Sequence, residues 1–528
     1  MAGQMLPIGG FDRGGVVLDS NPFSLQPNQL SDCLNVRFHN NVVSKITGEQ
    51  QFLSTGSSNP RTLVHWEQPV SEYYVFTASD GTTRRITASG TIENITKGVG
   101  GTAEPLDTSS DANYLASLFN GGFTYLVSDG VNIPQYIQAS GTASGELRDL
   151  PNWNYGSQFS SVIPRVLRPF RNVLVAANMR YTATGSGAIT YAPGTIRVSN
   201  QTAPGAIPTL WDPISNSADT ASEFEISETS GIVDLVPFQD SLFIYTSDSV
   251  FALRLTGNQS FPVAVQKQID GRGLLSTNCA VEFYGRHFVV GHEDIYLYAG
   301  GATVQTVADT RVRDYFYDNI NRNAVDNTFV FHNTRYDEMW LCYPKGSSTA
   351  CNEALIWNYV HNTWTRRELD NVYAATRGAD IESNAFTQID IPVFARDGQL
   401  LQVDITNAFS GNAINSYFER TGFDLIPEAV SFSKWIDDIY ILATGTGDVE
   451  VRIRPTDTPG RPVDFFDRTD RFLKLRQFTL SGDMSDFKIT PRVNGRYFNI
   501  RFGSNDSTDH WEVVRYNLAV QVGDEGRG

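Results

Sequence analysis

Cysteine is scarce. The 528 residues contain four, Cys33, Cys279, Cys342 and Cys351. None forms a CxxC pair and none lies in a metal-ligand array, which excludes a zinc ribbon or a disulfide-framework domain. Free, mostly buried thiols are expected. Cys342 and Cys351 flank a Lys-Gly-Ser-Ser turn, so a pair across a hairpin is the alternative. Methionine numbers five, and the seven histidines are scattered. No apolar run approaches the roughly 18 residues that a membrane-spanning helix needs. The start, MAGQMLPIGG, lacks the charged and apolar regions of a secretory signal. A protein made in a cytosol-like compartment, with no membrane span, is the expectation.

Positive charge is also in deficit: 41 Lys plus Arg against 58 Asp plus Glu give −17. Phosphate affinity comes from Lys and Arg releasing counterions, so the chain is not a generic nucleic-acid binder. It could still line a channel through which DNA slides without sticking. From Arg420 onward there are 15 basic and 17 acidic residues, so about −15 of the balance lies upstream. The dinucleotide fingerprint is missing: Gly271–Leu275 reads GRGLL and follows no βα unit. A P-loop and a GxSxG elbow are missing too.

What the chain has is aromatic side chains, at 12%, and 44 glycines, the composition of strands and turns. One β-hairpin grammar recurs: an apolar strand, a short turn with Asp-Gly, Ser-Asp or His-Glu-Asp, then a strand carrying Tyr, Phe or Leu. It occurs near Tyr73, Phe123, Arg171, Ser241, His287, Glu338 and Ile391. The steps are about 50, 48, 70, 46, 51 and 53 residues. A period near 50 with all-β content predicts a propeller of four-stranded blades, six or seven in number. The long step holds 181–225, rich in Gly, Ser, Thr, Ala and Pro, which reads as a loop-rich insertion. From about Asn415 strands such as DVEVRIRPTD alternate apolar and polar, predicting a separate antiparallel β-sandwich-like domain.

The expected organisation is therefore an N-terminal arm (1–34), a first propeller part (35–180), an insertion (181–225), a second propeller part (226–414) and a C-terminal domain (415–528). The hairpin Val36–Phe38 and Val42–Ile46, around His39-Asn40-Asn41, is placed to start or close the ring, with the arm free to reach a neighbour. Helix is expected over 310–323, where Val312, Tyr315, Phe316 and Ile320 follow a 3.6 spacing, and more weakly over 111–120.

Residues that could carry chemistry have simpler explanations. His292-Glu293-Asp294 reads as a solvated hairpin turn, since no second ligand cluster supports a metal. Asp80, Asp129 and Asp248 occupy equivalent turns, where Asp is a turn former. Trp357 and Trp364 read as packing between blades rather than binding sugar. Trp435, Tyr440, Phe465, Phe466 and Trp511 read as domain core, or as part of a subunit face. No catalytic, cofactor-binding or metal-binding residue is expected, and no cofactor.

Taken in order, these segments resemble the tail nozzle proteins of short-tailed bacteriophages, also described as tail tubular protein B or stabilisation protein. The resemblance rests on Gly9-Gly10, the Pro22–Pro27 arm, Asn35-Val36-Arg37-Phe38 and Lys45-Ile46-Thr47-Gly48. It continues through DGRGLLSTNCAVEFYGRHFVVGHEDIYLYAGG, EMWLCYP with ALIWNYVHNTWTRREL, and the closing GRYFNIRFGSNDSTDHWEVVRYNLAVQVGDEGRG. The segment from Tyr181 to Glu225 matches nothing in that family. The resemblance implies a structural virion protein, assembled in the host cytoplasm, that forms a homo-hexameric ring below the tail adaptor. It would retain the genome and pass it during ejection, without sequence-specific DNA binding, and tail fibres or tailspikes would dock on its flanks. An acidic lining would repel phosphate. The alternative from a different class is a virion propeller-type adhesin that recognises host glycans.

Overall fold

Alternating apolar residues between Gly-, Asn- and Asp-rich turns can bury a face only by pairing strands, and the computed structural model of the chain consists almost wholly of them. It describes residues 4–525 except 69–70, 88, 99–100, 111, 140–144, 155–157, 212–220, 228–229, 259–260, 380–388 and 459–472. No helix among the described residues is long and apolar enough to cross a membrane.

Five four-stranded antiparallel sheets follow one another between 64 and 270 and from 280 to 306, each with its strands paired in chain order. A seven-stranded sheet comes next. Its strand Thr363–Ala379 is shared: 363–372 pairs with Cys351–Asn358, and 372–379 pairs with Ile389–Arg396. The two halves of this sheet stand as the sixth and seventh blades. The first strands of successive blades touch in order, and Thr363–Ala379 touches Val64–Gln68, which closes the ring. The seven recurring hairpins of the sequence supply the middle strands of the seven blades. Glu338–Tyr343 and Cys351–Asn358, for example, are the second and third strands of the sixth.

The strand that locks the ring is Gly48–Ser54, which pairs with Gln399–Thr406 through Leu53↔Leu400 and Gln50↔Gln402. The expectation for the hairpin just before it is corrected. Val36–His39 and Val42–Lys45 belong to the other sheet. Residues 181–225 are likewise no separate insertion. Ile189–Val198 and Ser222–Glu225 are the third and fourth strands of the third blade, whose first two strands run 12 and 11 residues. Long strands and a long connection account for the long step.

The second body is one ten-stranded antiparallel sheet rather than two stacked layers. Asp32–Leu34 pairs with Ile414–Phe423, followed by Tyr497–Asp506, Phe432–Thr456, Trp511–Glu525, Val42–Lys45 and Val36–His39. Asp32–Leu34 and Val36–His39 are one extended segment broken only at Asn35, at φ 53, so the sheet returns on itself as a near-closed barrel. The arm is not free: Gln4–Gly9 pairs with Trp511–Glu525, and Phe11 is fully buried against Phe418 and Tyr516. Apolar Ile8, Phe11, Val16 and Leu30, spaced among its Pro and Asn residues, bury it there. Inside, Phe418 stacks on Phe502 at 4.9 Å, and Val449, Val451 and Ile453 point inward as their alternation predicts.

The helix expected over 310–323 is shorter, Arg313–Asn319, with a 3-10 turn at Arg322–Asn327. The weaker one is a strand, Leu115–Phe119. Leu115 and Phe119 are four apart, a spacing that one face of a strand satisfies as well as a helix does, and sheet pairing decides.

Candidate functional site at the joint between barrel and propeller

Residues 35–48 leave the barrel hairpin and enter the ring-closing strand, so their polar side chains fall between the two bodies. Arg37 donates from Nε and Nη2 to Glu338 at 2.6 and 3.1 Å, and from Nη2 to Asp404 at 3.2 Å. Arg367 donates to Asp404 at 3.1 Å and to Glu49 at 3.2 Å. Thr47 and Asn333 add donors to Asp404, at 3.2 and 3.1 Å. All five charged groups are buried. Burial opposes ionisation of Asp404, but the guanidinium ions of Arg37 and Arg367 outweigh it and hold its pKa below the ordinary value. Burial raises the pKa of Glu49, against the pull of Arg367.

Arg366, the neighbour of Arg367, projects from the opposite face of the same strand, as successive residues must. It donates to Asp32 at 2.5 Å, to the Tyr315 hydroxyl at 2.6 Å and to the Cys33 carbonyl at 3.1 Å. Glu353 gathers the hydroxyls of Tyr343 and Tyr315, at 2.5 and 2.8 Å, and Lys345 at 2.9 Å. One Arg-Arg pair thus fastens the shared strand to the arm on one side and to the closing strand on the other.

Three further residues fit the joint by shape. Asn35 donates to the Asn415 carbonyl at 2.9 Å and accepts from the Glu368 amide at 2.9 Å. Lys45 Nζ caps the carbonyls of Asp506 and Asp509 at 2.7 and 2.8 Å. At Gly48 a Cβ would lie 2.0 Å from the Ala408 carbonyl oxygen, so only glycine allows this approach. These buried ions and hydrogen bonds hold two bodies in one orientation, and the chemistry they offer is mechanical.

The propeller axis is the second place where side chains converge. A cavity of about 590 Å³ is lined by Arg168, Asp234, Pro237, Asn278, Glu282 and Val330, among others. Two smaller ones, of about 270 and 200 Å³, lie toward Arg61, Tyr114 and Tyr373. Asn278 borders all three. Arg168 grips Asp234 with two bonds of 2.8 Å and donates to Asn278 at 2.8 Å, so its charge is neutralised in place.

The turn acids singled out in the sequence stand between the second and third strands of their blades and hold those turns. Asp129 accepts from the amides of Asp107, Val131 and Asn132 and from the Asn132 side chain, at 2.7–2.9 Å. Asp80 accepts from the Thr82 amide and hydroxyl, and Asp248 from the hydroxyls of Thr246 and Ser230. His292 and Glu293 are exposed, while Asp294 is buried and accepts from the Ile295 amide. No group of three or more His, Cys, Asp or Glu among the described residues is placed to hold a metal. All four cysteines are free and buried.

Trp357 and Trp364 pack between the fifth and sixth blades. Phe288 stacks on Trp357 at 5.7 Å, and the Trp364 indole donates to the Val307 carbonyl at 2.9 Å. Trp511 is in the barrel core, Trp435 is 42% exposed, Tyr440 is half-buried, and Phe465-Phe466 lie outside the described residues.

In the sequence Arg37, Arg366, Arg367 and Glu338 stand only within stretches that carry the resemblance, Asp404 in none, and nothing there marks the five as a buried ion network. The visible signal is two adjacent arginines in a strand whose Trp364 and Leu369 mark it as buried, which demands carboxylate partners. The partners are 301 and 37 residues away for Arg37–Glu338 and Arg367–Asp404, so no local pattern names them.

No protein-family model matches the chain, and no curated protein matches it. Among solved structures, the selenomethionine-substituted virginiamycin B lyase of Staphylococcus aureus aligns with 68% of this chain and 99% of its own. The identity is 10% and the TM-score 0.39.

Proposed function

We propose that the protein is a structural component of a short-tailed phage virion: a tail nozzle, six copies of which form a ring below the adaptor and gate genome retention and release. One observation supports this reading best. Residues that carry the sequence resemblance, among them Asn35, Arg37, Lys45, Gly48 and the arginines of TRREL, meet in one buried joint and not in a pocket. A constraint on the joint suits a part that bears load. A chain of net charge −17 suits a conduit from which DNA must part cleanly.

The second reading, a propeller-type adhesin, draws on aromatic side chains exposed at one rim of the propeller, Tyr284 above all. Deleting the coding sequence separates the two. Particles lacking a nozzle fill and then lose their DNA, leaving empty heads. Particles lacking an adhesin stay full and fail to adsorb, and that phenotype would end the conduit reading.

A further inference from the structure

A two-residue hairpin turn of the favoured kind needs positive φ at both central residues, which selects Asn, Asp or Gly. Between the first two strands of the fifth blade this turn is Tyr284-Gly285, at φ 45 and 74, enclosed by the paired Phe283 and Arg286. The same place in the third and fourth blades holds Arg171 and Gln239, flexible side chains at φ 53 and 51. A bulky ring is a poor choice in this backbone conformation. Burial does not compensate it, because Tyr284 is 70% exposed. A residue that breaks the local rule without gaining a core marks a functional position.

The surroundings are built to hold that ring. Tyr284 meets Tyr359 at 5.8 Å and the buried His332 at 6.0 Å, both edge to face. Phe283 supports Tyr359 from below at 5.3 Å. The Tyr359 hydroxyl donates to Asp337 at 2.9 Å, and Arg377 contacts His332 at 3.0 Å, so the supporting rings are pinned. Arg286 lies over the Phe283 face at 5.1 Å and makes no ion pair among the described residues.

We propose that Tyr284, Tyr359 and Arg286 form a binding shelf for an acidic saccharide. A sugar's C–H face lies on the exposed Tyr284 ring, with Tyr359 as its edge-on buttress, and its carboxylate takes the guanidinium of Arg286, which offers a planar fork of donors. A nucleic acid fits less well: Glu282 and Asp337 flank the shelf, and a polyphosphate needs several cations. A protein partner needs a desolvated area on the order of 800 Å² per side. Among the described residues, the large apolar side chains exposed here are Tyr284 and Val360. The shelf stands apart from the conduit reading, since the deletion phenotype decides that one and saccharide binding decides this one.

The test starts from the purified full chain on an array of neutral, uronic-acid and sialic-acid oligosaccharides, followed by titration of the best acidic hit. Tyr284→Asn supplies a better turn residue, so folding is preserved and Tm stays level or rises, while affinity falls at least tenfold. Arg286→Gln loses the preference for acidic over neutral sugar. Tyr191→Ala, which removes a 72% exposed ring on the third blade, leaves binding unchanged. The shelf is overturned if no acidic saccharide binds at millimolar concentration, if Tyr284→Asn binds as the parent does, or if neutral sugars or single-stranded oligonucleotides bind in preference.

Discussion

Replacing Arg367 with methionine isolates the contribution of the joint. Arg367 is fully buried, its guanidinium serves both Glu49 and Asp404, and it lies over the Trp340 ring at 4.8 Å. Methionine keeps the apolar stem, so little packing is lost, but the charge goes. Asp404 retains Arg37, whereas Glu49 is left without an ion-pair partner among the described residues. Removing one partner of a buried pair costs about 3–5 kcal/mol, because the other charge is left desolvated. At roughly 2–4 °C per kcal/mol for a cooperative unit of about 150–250 residues, Tm should fall by about 6–20 °C. Scanning calorimetry with near-ultraviolet dichroism would measure it. Arg171→Met is the control: its partner Asp240 is 94% exposed, and an exposed pair contributes below about 1 kcal/mol. Adding Glu49→Gln to Arg367→Met should restore at least half of the loss, since the orphaned charge is then gone. Equal effects of Arg367→Met and Arg171→Met, or a double variant no better than the single, would refute the reasoning.

Other outcomes follow from the same geometry. Burial depresses the His287 pKa to about 4, while its ring sits between the Tyr245 hydroxyl and the Pro237 carbonyl. The unfolded chain therefore takes up the proton first, and stability falls as pH drops from about 6.5 toward 4, by up to about 3 kcal/mol; His287→Gln should flatten that slope in acid titrations followed by urea unfolding. Asp404 acts in the same sense at lower pH: its depressed pKa gives stability present above the ordinary carboxylate range and lost as pH falls through the folded value. Gly48→Ala places a methyl against the Ala408 carbonyl and should reduce soluble yield, whereas Gly346→Ala, at φ 69 with open space around it, should cost only about 1 kcal/mol of turn strain. Asp129→Ala orphans several amide donors and should cost about 2–4 kcal/mol, against at most about 1 for the exposed Asp80→Ala; equal costs in denaturant titrations would contradict the turn-holding role.

The propeller was legible because each blade carries the same middle hairpin, and a period near 50 survives divergence of every individual residue. Ring closure was not. Closure depends on which of two neighbouring early strands reaches Gln399–Thr406, and Val42–Lys45, with two valines, reads as a strand more readily than the polar GEQQFLS of Gly48–Ser54 that does so. Asn35 and Gly48 decide it, one turning the chain through positive φ and the other permitting a backbone approach that only glycine allows. The barrel was missed as a barrel for a related reason. Its alternation was readable in Val449, Val451 and Ile453, but four of its ten strands come from residues 4–45, about 400 residues earlier in the chain. The joint is polar, buried and non-local, and single-sequence periodicity carries no signal for such contacts. The Tyr284 shelf was readable in principle, since Phe-Tyr-Gly-Arg is a turn sequence with the wrong first residue.

The most direct measurement is electron cryomicroscopy of the phage tail in which we propose this chain assembles, with the propeller and barrel fitted as one rigid unit about the joint. The account predicts six copies around an axial lumen with DNA above it, and the joint of Arg37, Arg367 and Asp404 intact in every copy. Peripheral copies in threes, away from the axis, would contradict it.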